Sequence, residues 1–352
     1  MIGVDLFCGS GGLTTGAKLA GVKVVSAVDT DPSARSSYTA NHSEVRLLDA
    51  DIRSVSVDDL KVEKCGERLV VFGGPPCQGF STSNQRTRTT ENEGNWLFRD
   101  FLRVVEELEA DVVVFENVAG ILQTAGGTFV RELHEATKNL GFELVSGLLD
   151  ARNFGVPQRR ARYFTVGSKL KTAPRLPTPE TQTPITVADA IGDLPRLPNG
   201  AATDTLAYRE VAATAYARAM RKELTECSGH TVTNNAQHIV ERYAHVPEGG
   251  NWRDIPEEIM TSYADRSRCH TGIYRRLSWD EPAVVIGNFR KNMLIHPGQD
   301  RGLSIREAAR LQSFPDDYVF EGSIGKRQQQ VGNAVPPLLA KAVFDSVASI
   351  DL

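Results

Sequence analysis

The feature that most restricts the fold is an alternation in the first third of the chain. Short apolar runs, each closing on a glycine or a carboxylate, are separated by stretches at helical spacing. "GVDLF" ends in the turn "CGSGG" and leads into "LTTGAKLAG", and "VKVVSAVD" leads into "PSARSSYTANH". "RLVVFGG" is followed by a polar loop and then "LFRDFLRVVEELEA", and "DVVVFENV" closes the series. Runs apolar at nearly every position belong to strands covered on both faces. Their alternation with helices implies an α/β fold with a doubly wound, mostly parallel sheet. Such sheets take ligands at the carboxyl ends of their strands. That edge collects the glycine loop after the first strand, Asp29 after the second, Asp51 after the third, Cys77 after the fourth and Glu116 after the fifth.

At 352 residues the chain exceeds one comfortable core, which implies a second, smaller domain. The Pro- and Thr-rich stretch "TAPRLPTPETQTP" reads as the linker to it. The closing segment "QVGNAVPPLLAKAVFDSVASI" carries an apolar stripe with nothing local to bury against, so it is expected to dock back on the first domain. The expected division is therefore 1–175 plus 328–352 for the first domain and 176–327 for the second. "SIREAARLQSFPDDYVF" is expected to start as a helix capped by Ser304 and to end at Pro315, organising the second domain.

No charged-then-apolar leader is expected before the glycine loop, and no apolar run approaches the roughly 18 residues that span a membrane. Five cysteines, an odd number without a CxxC pair, suit a reducing, cytoplasmic compartment. Cys227-x-x-His230 with the adjacent Cys269 and His270 fits no common zinc spacing, so no metal site is expected. A net charge of −4 does not favour nucleic acid in bulk. The second half nonetheless holds basic stretches interleaved with aromatics, "YARAMRKEL", "YADRSRCHTGIYRRL" and "NFRKN", which read as a DNA-facing surface or as a solvated face.

"DLFCGSGGLTTG" is a glycine loop of the kind that lets backbone approach a ligand at a helix N-terminus, or simply a tight turn. It is neither GxGxxG nor a GK[ST] phosphate loop. Asp29, with Thr30 beside it, is placed to hold ribose hydroxyls, or to cap the helix before Pro32. Asp51, next to Ile52, could accept from an adenine amino group, or stand as a bare loop carboxylate. Together they suit an adenosine cofactor without a phosphate at its other end, and S-adenosylmethionine better than NAD or ATP. In "GGPPCQGFS" a thiol stands at the tip of a stiff turn, a setting a core cysteine does not need.

Six ordered blocks, "DLFCGSGGLTTG", "GGPPCQGFS", "FENVAGIL", "NFGVPQRRARYF", "LSIREAARLQSFPDDY" and "QQQVGNAVPPLLA", run from Asp5 to about Ala340. In these the chain resembles the DNA (cytosine-5)-methyltransferase family, and its bacterial restriction–modification members in particular. The resemblance implies a Rossmann-like S-adenosylmethionine-dependent catalytic domain and a target-recognition domain whose variable part lies between about Thr178 and Tyr274. It implies that Cys77, stiffened by the proline pair and given room by Gly79, adds to C6 of a cytosine flipped out of double-stranded DNA. Glu116 would contact N3 and the exocyclic amine, Arg162 would reach O2, and Arg160 would brace the loop bearing Cys77. Read from the residues alone, Glu116 could also be a structural carboxylate paired with an arginine, and either arginine an ordinary salt-bridge partner. Arg160 and Arg162 are expected to share one face of a strand, with Arg159 pointing away and Asn117 steadying its turn. Asp5, Phe7, Gly9, Gly11, Asp29, Thr30, Asp51, Ile52, Pro75 and Asn333 would hold the cofactor, Asn333 near its methionine end. Ser81, Arg86 and Arg88, where Thr82–Phe98 is expected as a mobile loop that closes over the DNA or as a solvated surface loop, and Arg275 and Arg276 would contact DNA. A monomer would suffice, with any cognate endonuclease acting separately. A tRNA cytosine-5 methyltransferase of the same fold would carry a Cys-Phe-Thr tripeptide, which is absent; a silent nucleic-acid-binding regulator would be expected to have lost Cys77, Glu116 or Arg162.

Overall fold

The computed structural model describes residues 1–75, 96–179, 183–260, 272–287, 289–291 and 293–350. Its chain divides into two compact units: Met1–Phe154 with Ala161–Thr181 and Val335–Leu352, and Gly155–Arg160 with Gln182–Ala334. The expected division at 175/176 and 327/328 differs from this at both edges. The chain enters the second unit early, for the six residues before Ala161, and leaves it late, after Ala334.

The first unit is the alternating half. Its elements are β1 (Ile2–Leu6), α1 (Gly12–Leu19), β2 (Lys23–Asp29), α2 (Pro32–Asn41), β3 (Arg46–Asp49), a short α3 (Val57–Leu60) and β4 (Leu69–Gly73). Then follow α4 (Leu97–Glu107), β5 (Val112–Val118), α5 (Thr128–Asn139), β6 (Glu143–Asp150) and β7 (Ala161–Ser168). The seven strands lie in the order β3-β2-β1-β4-β5-β7-β6. β1 to β5 are parallel, whereas β7 runs antiparallel to both β5 and β6. Every residue of β1 and β4 is buried, as strands covered on both faces must be. The apolar core joins these strands to Phe98, Phe101, Leu102 and Val105 of α4.

The C-terminal helix, labelled α11 below, spans Pro337–Ala348 and belongs to this unit, as its unpartnered apolar stripe led one to expect. It packs on α1, and its Phe344 ring meets Phe72 of β4 edge-on at 4.8 Å. Two glycines of the N-terminal loop and helix make this docking possible. A Cβ on Gly12 would lie 2.3 Å from the Val335 carbonyl oxygen, and one on Gly16 would lie 2.3 Å from the Ala340 Cβ. So the C-terminal part of the glycine loop serves helix packing.

The second unit carries a two-stranded sheet, β8 (Leu206–Ala207) with β9 (Glu226–Cys227), and short helices. These are α6 (Val187–Ile191), α7 (Ala215–Arg221), α8 (Gln237–Ala244), α9 (Ile305–Leu311) and α10 (Ile324–Asn333). Ser304 caps α9 in a reciprocal capping box with Glu307, and the helix ends at Leu311, four residues before Pro315. All seven residues of α9 are buried, including Arg306, Glu307 and Arg310. Such charges survive burial only when paired. Arg301 grips Glu307 with two bonds of 2.8 and 2.7 Å. Arg310 reaches Asp316 at 2.7 and 2.6 Å and Asp193 at 2.9 and 3.2 Å. Among the described residues no helix is long and apolar enough to cross a membrane.

Candidate active site

Because β1 to β5 are parallel, their carboxyl ends share one edge of the sheet. β7 is antiparallel, so its N-terminal end, with Arg162, comes to the same edge beside β5. That edge is irregular backbone from the start. Phe7 adopts φ 66°, a conformation costly for a non-glycine residue, and Gly9 and Gly11 follow at 54° and 89°. Among the described residues nothing lies within 4 Å of a Cβ position on Gly9.

Asp29 is half-buried and accepts bonds from the Gly9 and Asp31 amides, both at 2.8 Å. The cap of α2 is Asp31, whose side chain accepts from Ser33 and Ala34. Asp29 therefore holds the glycine loop, and Thr30 beside it is exposed. Asp51 caps the following single turn and is gripped by its neighbour Arg53 at 3.0 and 2.6 Å, which holds its carboxyl below the usual range. Ile52 is 3% exposed and belongs to the apolar core beneath this edge.

Asp5 is fully buried; Thr14 Oγ1 donates to its Oδ2 at 2.6 Å and meets the Tyr38 hydroxyl at 2.9 Å. Among the described residues its other oxygen has no hydrogen-bond partner. Burial above all pushes this carboxyl up to about 8, against the Thr14 bond, with nearby Asp29 adding to the rise. A folded-state pKa above the unfolded one means stability present at low pH and lost as pH rises. The unliganded protein's melting temperature should therefore carry a decline from about pH 4, Asp5's ordinary value, to about pH 8 that Asp5→Asn removes. Identical slopes in scanning calorimetry of the two proteins would refute this assignment. Asp29, also raised chiefly by burial, adds a smaller trend of the same sign that the variant retains.

At the other end of the edge, Glu116 and Arg162 form a buried ion pair, Nε to Oε1 at 2.9 Å. The register explains it: Glu116 faces Phe164 and Val118 faces Arg162, so the two side chains are diagonal neighbours on one face. Burial lowers the Arg162 pKa from its ordinary value, and the Glu116 charge opposes that. Asn117 is buried and donates to the Pro75 carbonyl at 3.2 Å, tying the strand end to the start of the proline turn. A Cβ on Gly73 would lie 1.8 Å from the Leu6 carbonyl oxygen, so that position needs glycine, and one on Gly74 would lie 2.6 Å from Glu116 Oε2. The sequence offered no signal for that contact, nor for the Thr14–Tyr38 pair behind Asp5.

Cys77, Ser81, Arg86 and Arg88 lie outside the described residues, as do Cys269 and His270. Cys227 Sγ sits 3.3 Å from His230 Nε2, both buried.

Arg160 departs from the expected arrangement. β7 begins at Ala161, so Arg160 is not a strand partner of Arg162 but part of the second unit. There its guanidinium is 1% exposed and donates to the Gly332 and Ala334 carbonyls at 2.8 and 3.0 Å. Arg159 does point outward, paired with Glu281 at 2.9 Å. Asn333 is exposed and also falls in the second unit, two residues before the Val335 that lies against Gly12.

The pair Arg275 and Arg276 splits. Arg276 is 6% exposed, with its donors taken by the carbonyls of Val246, Tyr243, His296 and Gln299 and by Asp300. It is a strut with no donor to spare for a phosphate; Arg275 is half-exposed. The basic stretch around α7 is likewise mostly consumed internally, Arg218 and Arg221 by carbonyls and Lys222 by Asp317.

The chain is 35% identical over 351 residues to the Type II methyltransferase M1.HphI of Haemophilus parahaemolyticus, covering 99% of this chain and 87% of that protein. It is 32% identical over 370 residues to M.DdeI of Desulfomicrobium norvegicum, covering 98% and 88%. An E. coli prophage protein described as a candidate DNA modification methyltransferase shares the fold, with a TM-score of 0.80 at 24% identity over 99% of both chains. The family profile of the C-5 cytosine-specific DNA methylases matches residues 1–349, and the chain belongs to that family.

Proposed function

We propose that this DNA cytosine-5 methyltransferase transfers the methyl group of S-adenosylmethionine to a cytosine flipped out of double-stranded DNA, through a transient Cys77–C6 bond. The observation that carries this reading is the buried Glu116–Arg162 pair, tied through Asn117 to Pro75, two residues before Cys77 in the chain, and packed beside Gly74. The glycine loop, unobstructed at Gly9 among the described residues, and the half-buried Asp29 with exposed Thr30 suit an adenosine ligand. The residues that would hold it are Asp5, Phe7, Gly9, Gly11, Asp29, Thr30, Asp51, Ile52 and Pro75, with Asn333 toward the methionine end. When bound, that cofactor supplies an electrophilic methyl group.

The chain's own residues do the rest. Cys77 as thiolate is the nucleophile that adds to C6 and raises electron density at C5, which takes the methyl group. Loss of the C5 proton to water then expels the Cys77 thiolate and restores the C5–C6 double bond. Negative charge then builds at N3 and O2. Glu116 gives or shares a proton at N3, and Arg162 meets O2. Without DNA the ionised carboxylate keeps the arginine charged despite burial and the arginine orients the carboxyl; Glu116 is protonated transiently, with the cytosine bound, to serve N3. Arg160 acts at a distance, by pinning backbone in the second unit. Recognition of a short DNA sequence falls to the second unit. Ser81, Arg86, Arg88 and Arg275 are the proposed contacts to DNA. A monomer in the cytoplasm, beside a separately acting restriction endonuclease, is the simplest working form.

The test is base-resolution mapping of 5-methylcytosine in DNA from cells expressing the protein, with Cys77→Ala as control. Methylation at C5 within one short motif, lost in the control, is the expected result. Unmodified DNA from the wild type, with S-adenosylmethionine still bound by the purified protein, would reject the reading.

A further inference from the structure

The carboxyls near the ends of β1 and β2 are held in opposite ways. Backbone amides serve both oxygens of Asp29, from Gly9 and Asp31 at 2.8 Å each. Asp5 is fully buried and is served by Thr14 alone, whose Oγ1 donates to Oδ2 at 2.6 Å. Its Oδ1 has no partner among the described residues. Arg35, the cation near the start of α2, is engaged by Asp49 at 2.7 Å. Asp5 is therefore a buried carboxyl with acceptor capacity left over and no counter-charge of its own.

The hydroxyls behind it have a direction. Thr14 has a single hydroxyl hydrogen, and when Asp5 is ionised that hydrogen is taken by the carboxylate. The Tyr38 hydroxyl, 2.9 Å from Thr14 Oγ1, must then donate to Thr14. Tyr38 is itself fully buried on α2. The two hydroxyls form a relay that favours the charged carboxyl. Burial opposes it more strongly and holds the carboxyl up to about 8. Among the described residues the titratable groups facing Asp5 are Asp29 from β2, Cys8 from the loop and Tyr38 from α2. From β4, Phe72 stands beside it in register. None of these supplies positive charge.

Such a carboxyl responds to a cation brought near it through a medium of low dielectric. It acts by its field and not by contact, because it has no exposed surface. The methyl donor and its product differ in one such charge. Loss of the methyl group turns a sulfonium into a neutral thioether, while the adenosine, ammonium and carboxylate are common to both.

We propose that Asp5, held by Thr14 and Tyr38 at the foot of the glycine loop, selects the cofactor by charge, favouring S-adenosylmethionine over the neutral S-adenosylhomocysteine that methyl transfer leaves. The inference rests on the reading of that loop as the S-adenosylmethionine site. Asp5 gives up its proton when the sulfonium is near and takes one back once the methyl group has left, so the product is held less tightly.

The test is titration calorimetry of the full chain without DNA, with S-adenosylmethionine and S-adenosylhomocysteine as the two probes. It runs from about pH 6 to about pH 8.5 in buffers of different ionisation enthalpy, which count protons released. The wild-type preference for S-adenosylmethionine should rise about tenfold across this range and level off above about pH 8. At about pH 7 that ligand should release more protons than S-adenosylhomocysteine does. Asp5→Asn should abolish both the rise and the excess protons. Tyr38→Phe should move the rise to higher pH, Thr14→Val further, and Thr14→Ser should restore it. A preference flat with pH in the wild type, or a rise that survives in Asp5→Asn, overturns the proposal. So does an Asp5→Asn protein whose only change is an equal weakening of both ligands, since its carboxyl would then shape the loop without reading charge. If Tyr38→Phe and Thr14→Val lower the melting temperature but leave the rise in place, the relay is structural only and that part of the proposal falls. A wild type that binds neither ligand would instead strike the cofactor reading on which this rests.

Discussion

Glu116→Gln protein should methylate DNA about 10²–10⁴-fold more slowly in single-turnover assays, while its affinity for S-adenosylmethionine stays at the wild-type value. Glutamine keeps the shape of the side chain and can still offer a hydrogen bond to the ring, but it has no proton to release at N3. The change also removes the counter-charge 2.9 Å from Arg162 Nε, in a site where both side chains are about 10% exposed. An arginine left alone there meets O2 in a poorer orientation, so the two losses act on the same transition state. The pH profile separates them: loss of a titrating acid alters the profile, whereas loss of orientation only lowers it. A wild-type single-turnover rate in the variant would leave the pair as a structural link between β5 and β7, with no part in the chemistry.

Arg310→Met should cost about 3–5 kcal/mol in the second unit, because it strands two buried carboxylates. Asp316 and Asp193 have side chains 0% and 4% exposed, and both are bonded to this one guanidinium. Burial pushes Asp316 toward protonation, yet the bonds and charge of Arg310 hold it below the usual carboxylate range. Without Arg310 it keeps Arg306 at 3.8 Å and the Tyr208 hydroxyl at 2.6 Å, too little to replace two direct charged bonds. For a unit of this size the loss corresponds to a fall of roughly 6–20 °C in the melting transition. Adding Asp193→Asn and Asp316→Asn to the variant should recover part of it, since the penalty is an uncompensated charge rather than a missing contact. A melting temperature unchanged by Arg310→Met, followed by amide exchange across Ile305–Leu311, would show that the ion pairs do not hold this helix in place.

The same pairing sets an acid limit. Burial opposes ionisation of Glu307 most strongly, but Arg301 outweighs it and brings the carboxyl down to about 2. A depressed pKa stabilises the fold above the unfolded value of 4.5, and that stability is lost as pH falls toward 2.

Much of this protein follows from the order of residues alone. A strand buried on both faces has to be apolar at every position, so β1, β4 and β5 announce themselves as runs. A parallel sheet then brings Asp29, Asp51 and Glu116 to one edge without reference to any distant residue. Ser304 and Glu307 cap α9 through bonds three residues apart, and the unburied stripe of α11 required a partner. What tertiary structure alone decided is which of several identical side chains are free. Arg275 and Arg276 are neighbours in sequence, but the second is consumed by carbonyls and a carboxylate 20 to 33 residues away. Arg160 left the strand that carries Arg162 because its acceptors belong to Gly332 and Ala334. Gly12 and Gly16 turned out to admit α11, more than 300 residues along the chain, rather than a ligand. Periodicity records whether a position is wet or dry. It cannot record which remote carbonyl or helix makes it dry, because that partner is brought close only when the chain has folded.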